Sequence, residues 1–126
     1  PAVEVGEEVK AYEVQADELL PTLLHNLLCN SIKHGGGVTS IRLGAHIREG
    51  ALWLIYEDDG VGIPEEVRDC LFDFTLNGRR QGHGLNFIKE TLEMYGMRIE
   101  LDRTYDKGAR FLLRVPQGQF RRKAKA

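Results

Sequence analysis

Cysteine, long apolar runs and net charge are all scarce in this sequence, and each shortage excludes a class of protein. The two cysteines, Cys29 and Cys70, lie far apart in no CxxC pair, which predicts buried, reduced thiols and no disulfide framework. The longest apolar runs are only a few residues, so no segment is predicted to span a membrane. The net charge of −2 gives no electrostatic argument for binding nucleic acid.

The composition that is present indicates one globular domain. The chain has 126 residues, of which 42% are hydrophobic and 29% charged. We expect a single domain over 1–126, with a core at about 10–116 and a flexible basic tail at 117–126. The sequence starts with Pro1 and lacks the features of a signal peptide, so we expect a cytoplasmic piece of a longer protein.

Hydrophobic periodicity divides the chain into blocks of strands and helices. Strands are predicted at 8–15, 38–47, 51–57, 97–102 and 109–115, helices at 19–34, 65–71 and 84–95, and a loop at 73–83. Arg48, Glu49 and Gly50 predict the turn of an antiparallel hairpin. This order is typical of an α+β, two-layer sandwich with a mixed, mostly antiparallel sheet.

The first long helix carries a polar face in the segment HNLLCNSIKHG, opposite a stripe of leucines that ends at Ile32. Asn26 and Asn30 are four residues apart and Lys33 follows three later, so the three share one side. An amide oxygen can bind Mg²⁺, and lysine can bind phosphate. The alternative is the solvated side of an amphipathic helix.

Two glycine-containing segments are further candidates for ligand contact. In DDGVGIP, Asp58 can accept a hydrogen bond from an exocyclic amine, while Gly60 and Gly62 allow close approach of a flat ligand; the alternative is a tight turn. In QGHGLNF, Gly82 and Gly84 precede a helix whose N–H groups can bind phosphate. No strand directly precedes this segment, which excludes a Rossmann or P-loop site.

These segments, in this order, resemble the motifs of the catalytic ATP-binding domain of sensor histidine kinases, within the superfamily of gyrase, Hsp90, histidine kinases and MutL. HNLLCNSIKHG resembles the N box, DDGVGIP the G1 box, LFDF a short F box, GHGLNFIKETLEMYG the G2 box and KGARF the closing GT box. The resemblance covers about residues 10–116. It implies the superfamily's ATP-binding (Bergerat) fold, with ATP and Mg²⁺ bound between the helical layer and a mobile lid at 73–83.

The resemblance also implies a role for each matching residue. Asn26, Asn30 and Lys33 would be the catalytic set, with Asn30 completing the coordination of Mg²⁺ on the phosphates and Lys33 contacting phosphate. The remaining nucleotide contacts would be His34 beside the nucleotide, Asp58 at the adenine amine, Gly60, Gly62 and Ile63 around the base and sugar, Arg79 and Arg80 at the γ-phosphate, Gly82, His83, Gly84 and Leu85 at the phosphates, and Ala109 near the base. Solvated loop arginines are the alternative for Arg79 and Arg80.

Three positions depart from the family pattern. Asp59 stands where Asn is common, and adds a negative charge near the pocket. The F-box and lid segment is short. Ala109 replaces the usual Thr and removes a hydroxyl near the base. All three bear on nucleotide affinity.

Position 26 distinguishes among the activities of the superfamily. Its hydrolases and the anti-sigma serine kinases carry Glu there as a general base, whereas the amide of Asn26 cannot take a proton. No histidine of the chain is followed by Asp or Glu as a phospho-acceptor would be. We therefore expect a kinase whose γ-phosphate passes to a histidine on a separate helical dimerisation domain, and indirectly to a response regulator, with no contact to membrane or nucleic acid. The alternatives are an anti-sigma-type serine kinase and a non-catalytic ATP-binding regulatory module.

Overall fold

The computed structural model describes residues 2–14, 19–64, 75–76, 79–80 and 85–123. In chain order the elements are β1 (Ala2–Val5), α1 (Glu7–Lys10), β2 (Tyr12–Val14), α2 (Leu19–His34), β3 (Ser40–Arg48), β4 (Ala51–Asp58), β5 (Thr75–Leu76), β6 (Arg79–Arg80), α3 (Leu85–Met94), β7 (Arg98–Leu101), β8 (Arg110–Val115) and β9 (Phe120–Arg122). The prediction of an α+β fold is confirmed. No helix within these ranges is long and apolar enough to cross a membrane.

The main sheet has five strands in the order β1-β3-β4-β8-β7. Strand β1 lies parallel to β3, and the other three pairings are antiparallel, as predicted. The β3–β4 hairpin turns at Glu49 and Gly50, whose φ angles of 53° and 78° suit a two-residue hairpin turn. This register places Asp58, the last residue of β4, opposite Ile41 near the start of β3.

The core lies between the sheet and helices α2 and α3. Leu23 and Leu27 of α2 and Ile88 and Leu92 of α3 are at most 2% exposed, in one apolar cluster with residues of the sheet. The leucine stripe predicted for α2 is therefore confirmed. Its last predicted member is wrong, because Ile32 is 62% exposed.

The segment predicted as one strand at 8–15 is a helical turn, α1, followed by the short strand β2. The acidic Glu7 and Glu8 stand in the first turn and Lys10 in the last, the arrangement that a helix dipole favours. The preceding β1 also pairs with β3, so the ordered domain begins before residue 10.

Part of the tail expected to be flexible, Phe120–Arg122, forms β9, which pairs with β2, while residues 124–126 lie outside the described residues. The Arg121 Nε donates to the Glu13 carboxylate at 2.7 Å, and the rings of Tyr12 and Phe120 meet edge to face with centroids 6.0 Å apart. Cross-strand ion pairs and aromatic pairs both stabilise antiparallel strands. The expectation of a frayed end at these residues is wrong.

The segment predicted as a loop contains the two-residue antiparallel strands β5 and β6. The sequence between them is Asn77-Gly78, a pair typical of hairpin turns. The helix predicted at 65–71, the LFDF segment and residues 81–84 lie outside the described residues.

Candidate functional site

Asp58 ends β4 as a buried carboxylate, only 5% exposed. Its Oδ1 accepts hydrogen bonds from the backbone N–H groups of Gly60, at 3.1 Å, and Ala109, at 3.0 Å. Its own backbone N–H donates to the Ala109 carbonyl oxygen at 2.9 Å. The DDGVGIP loop and the KGARF turn, far apart in sequence, thus meet at one carboxylate.

Gly108 makes this meeting possible. Its φ is 149°, and a Cβ at this position would lie 2.0 Å from the Asp58 carbonyl oxygen and 2.9 Å from its Oδ1. The α-carbon of Gly62 faces the same turn, since its Cβ would lie 3.1 Å from the Gly108 carbonyl oxygen. Glycine at position 108 therefore lets two backbone segments pack beside the carboxylate.

Gly60 packs the same loop against the end of α2. A Cβ at Gly60 would lie 2.3 Å from the Gly35 carbonyl oxygen, which accepts a hydrogen bond from the Val61 N–H at 2.8 Å. The absence of a side chain at Gly60 and Gly62 thus allows close backbone contacts within the protein. Contact of these glycines with a base or sugar stays a prediction.

Two buried hydroxyl groups join Asp58 to α2, and sequence reasoning missed both. The Ser31 Oγ donates to Asp58 Oδ2 at 2.6 Å and lies 2.7 Å from the Tyr56 Oη. Burial raises the pKa of Tyr56 to about 12, although its hydrogen bond with Ser31 lowers it in part. A signal was present, since Ser31 continues the buried positions Leu23 and Leu27 at four-residue spacing.

Asn30, beside Ser31 on α2, presents a buried oxygen with unused acceptor capacity. Within the described part of the chain, its Oδ1 has no hydrogen-bond partner. A buried acceptor left unpaired costs about 1–3 kcal/mol, so a cation or water at this atom would be favourable. The oxygen is of the type that Mg²⁺ prefers, and Asn30 therefore fits the role that the sequence predicts.

The two other residues of α2 predicted to bind the ligand, Asn26 and Lys33, are not buried. The Asn26 Nδ2 donates to the Thr22 carbonyl oxygen at 2.9 Å, one turn back along the helix. Lys33 is exposed. Neither residue belongs to the buried core, and contact of either one with a ligand stays a prediction.

Asp59 was expected to add charge near the pocket, but its carboxylate binds the start of β3. It accepts hydrogen bonds from the Thr39 hydroxyl, from the Thr39 N–H at 2.8 Å and from the Ser40 N–H at 3.0 Å. These bonds, led by the Thr39 hydroxyl, lower the pKa of Asp59 to about 2. Adjacent carboxylates thus have different partners, Asp58 in the interior and Asp59 at the surface.

This difference predicts a pH-dependent effect of Asp59→Asn. The pKa of Asp59 is about 2 in the folded chain and about 3.9 in an unfolded one. The charged carboxylate therefore stabilises the fold above pH ~4, and this contribution disappears as the pH falls toward ~2. We expect the gap between native and variant melting temperatures to narrow over that range. A gap that stays constant between neutral pH and pH ~2 would contradict this assignment.

The remaining predicted contacts are described only in part. Ile63 is half-buried and packs against the core. His34 is the last residue of α2, Arg79 and Arg80 form β6, and Leu85 begins α3, but their side chains lie outside the described set. Gly82, His83 and Gly84 also lie outside it. Their contacts with the phosphates stay predictions.

Comparison with known proteins adds to this geometry. The family described as "Histidine kinase-, DNA gyrase B-, and HSP90-like ATPase" matches residues 16–119. The alginate biosynthesis sensor protein KinB of Pseudomonas aeruginosa is 31% identical over 119 residues, which are 90% of this chain and 20% of that protein. The chain thus spans about a fifth of the length of this curated relative.

The fold of this chain resembles those of solved structures. The ATP-binding domain of PrrB from Mycobacterium tuberculosis has a TM-score of 0.62 and 28% identity, covering 79% of this chain and 67% of that one. A nucleotide-free catalytic domain of the histidine kinase ThkA has a TM-score of 0.70 over 91% of this chain and 78% of that one. At 22% identity, the second likeness concerns the fold alone.

Proposed function

This chain belongs to the family of histidine kinase-, DNA gyrase B- and HSP90-like ATPases, and we propose that it is the phosphoryl-donor half of a sensor histidine kinase. In this role it binds Mg²⁺·ATP and presents the γ-phosphate to a histidine on a separate helical domain. The parent's response regulator then receives the phosphate. Relatives named as sensor histidine kinases support this choice within the family.

The buried carboxylate of Asp58 carries the proposal. Three protein donors hold it in place, and the amine of adenine is a donor that such an acceptor can bind. Ser31, which contacts Asp58, is the neighbour of Asn30 along α2. The acceptor for the base and the oxygen for the cation are therefore held by one helix and one strand end.

Two residues of α2 offer groups that suit the phosphates and their cation. Bound Mg²⁺ would neutralise charge on the phosphates. The Asn30 Oδ1 is the chain's oxygen for that cation, and the exposed Lys33 can reach phosphate as a point charge. The described ranges contain no group of three or more His, Cys, Asp or Glu that could hold a metal ion.

Asn26 separates this proposal from the serine-kinase alternative. An amide cannot take a proton from water or from a serine hydroxyl, so position 26 offers no general base. Its Nδ2 is already engaged with the Thr22 carbonyl oxygen. The nucleophile must then arrive with its own basicity, as an imidazole does.

Transfer of radiolabelled phosphate tests the proposal. We expect the chain with Mg²⁺ and γ-labelled ATP to leave itself unlabelled and to label the parent's helical domain when that domain is added. The label should be acid-labile, as phosphohistidine is. Acid-stable phosphoserine would support the anti-sigma-type alternative, and ATP binding with no transfer would support a regulatory module.

A further inference from the structure

The acceptor capacity of Asp58 is almost filled by the protein itself. An ionised carboxylate has about four lone-pair positions, two on each oxygen. The Gly60 and Ala109 N–H groups occupy Oδ1. The Ser31 hydroxyl occupies one position of Oδ2 at 2.6 Å. One acceptor position remains, and it is on the oxygen that Ser31 holds.

Asp58, Ser31 and Tyr56 form a chain of hydrogen bonds, and its direction follows from the number of hydroxyl hydrogens. Ser31 and Tyr56 have one hydroxyl hydrogen each, and three contacts compete for them: Ser31 with Asp58 at 2.6 Å, Ser31 with Tyr56 at 2.7 Å, and Tyr56 with the Leu27 carbonyl oxygen at 3.1 Å. While Asp58 is charged, Ser31 must donate to it. The Tyr56 hydrogen then goes to the Ser31 oxygen at the shorter of its two contacts.

The reverse direction requires a proton on Asp58. Asp58 would then donate to Ser31, Ser31 to Tyr56, and Tyr56 to the Leu27 carbonyl oxygen. The two directions differ at Oδ2. In the first, the charged oxygen has an open acceptor position for a ligand; in the second, it carries a proton that is already donated to Ser31. Because Ser31 and Tyr56 are each 4% exposed and Asp58 is 5% exposed, bulk water does not compete for these bonds.

We propose that Ser31 and Tyr56 are positioning residues for base selection: they hold Asp58 Oδ2 as an acceptor with one open position, which favours a purine carrying an amine at carbon 6 over one carrying a carbonyl there. The inference rests on the proposed function, in which Asp58 binds the base. A carbonyl oxygen facing Oδ2 would place two acceptors together, a mispairing that weakens binding by roughly 10- to 100-fold.

ATP and inosine triphosphate test this inference, because inosine triphosphate has a carbonyl at carbon 6 in place of the amine, and its only other difference is a hydrogen on the adjacent N1. Calorimetry on the 126-residue chain with Mg²⁺ should show the native protein preferring ATP by roughly 10- to 100-fold. Ser31→Ala should lower this ratio about three- to tenfold by weakening ATP binding while leaving inosine triphosphate nearly unchanged. Tyr56→Phe should lower it in the same direction by about two- to fivefold, because Ser31 loses the donor that orients it.

Control variants and a rescue separate positioning from a general loss of structure. Ser40→Ala and Tyr12→Phe remove hydroxyls outside the network and should keep the native ratio, while Ser31→Thr keeps the donor and should restore it. Two results would overturn the inference. One is that Ser31→Ala weakens the binding of ATP and of inosine triphosphate equally; the other is that Ser31→Ala and Tyr56→Phe both keep the native ratio of the two affinities.

The proposed function fails in a different way. A native chain that binds ATP and inosine triphosphate equally, or neither, would remove the assignment of Asp58 to adenine before any variant is made. If Ser31→Ala does not fold, the near-isosteric Tyr56→Phe decides alone, and an unchanged ratio in it overturns the inference.

Discussion

Gly108→Ala is expected to destabilise the chain by about 2–6 kcal/mol, the largest effect of any single change considered. A Cβ at this position would lie 2.0 Å from the Asp58 carbonyl oxygen, 2.8 Å from the carbonyl carbon and 2.9 Å from Oδ1. Overpacking of this kind costs about 1–3 kcal/mol, and an unfavourable backbone conformation adds about 1–3 kcal/mol. Urea denaturation of the native chain and the variant measures the sum.

Gly118→Ala is the matched control for this experiment. Gly118 also has a positive φ, of 97°, but a Cβ there would meet no atom within 4 Å. It therefore isolates the conformational cost, which we expect to be about 1–2 kcal/mol. Similar losses in both variants would show that a Cβ at position 108 costs no more than the backbone conformation itself, and would contradict the predicted clash with Asp58.

Asp58→Asn is expected to weaken ATP binding by about 1–3 kcal/mol, or roughly 5- to 150-fold. The substitution keeps the shape of the side chain and one oxygen, which can still accept from the Gly60 and Ala109 N–H groups. The new amide takes the place of Oδ2 and presents donors both to Ser31 and to the amine of adenine. Titration calorimetry with Mg²⁺·ATP measures the loss.

Asp59→Asn is the control for that titration. Asp59 is the next residue, but its carboxylate binds Thr39 and Ser40 at the surface. We expect its replacement to leave ATP affinity within about twofold of the native value, since its partners lie outside the proposed base contact. Undiminished affinity in Asp58→Asn, or equal losses in the two variants, would remove Asp58 from the adenine site.

Much of the fold was predictable because its information is local. The leucine spacing of α2 and the hairpin turn predicted at 48–50 each depend on neighbours within a few residues. The leucine stripe is confirmed except for Ile32, and the hairpin turns at Glu49 and Gly50 while Arg48 belongs to β3. The pairing of β2 with β9 was not predictable in this way, because the contacting Glu13 and Arg121 are 108 residues apart. A basic segment at a chain end has no local pattern that distinguishes a strand from a frayed tail.

The candidate site also contains residues that local sequence predicts and residues that only the fold brings together. Sequence motifs selected Asn30 and Asp58 by their order along the chain, and family membership is now shown. The motifs gave no reason to include Ser31 or Tyr56, which are 25 residues apart and meet only because α2 packs across β4. The individual contacts of the predicted site residues with ATP stay predictions.

By itself, the sequence determined the α+β class, the main helices and hairpins and the family of this protein, because periodicity, turn residues and motif order are local properties. Only the tertiary structure decided which of two adjacent aspartates is buried, which hydroxyls hold it and why Gly108 must lack a side chain. The physical reason is that these features depend on hydrogen bonds and close approaches between segments that the packing of helices on the sheet brings together. Sequence motifs thus indicated the ATP-binding role, whereas only the fold revealed the hydrogen bonds on which the proposed preference for adenine rests.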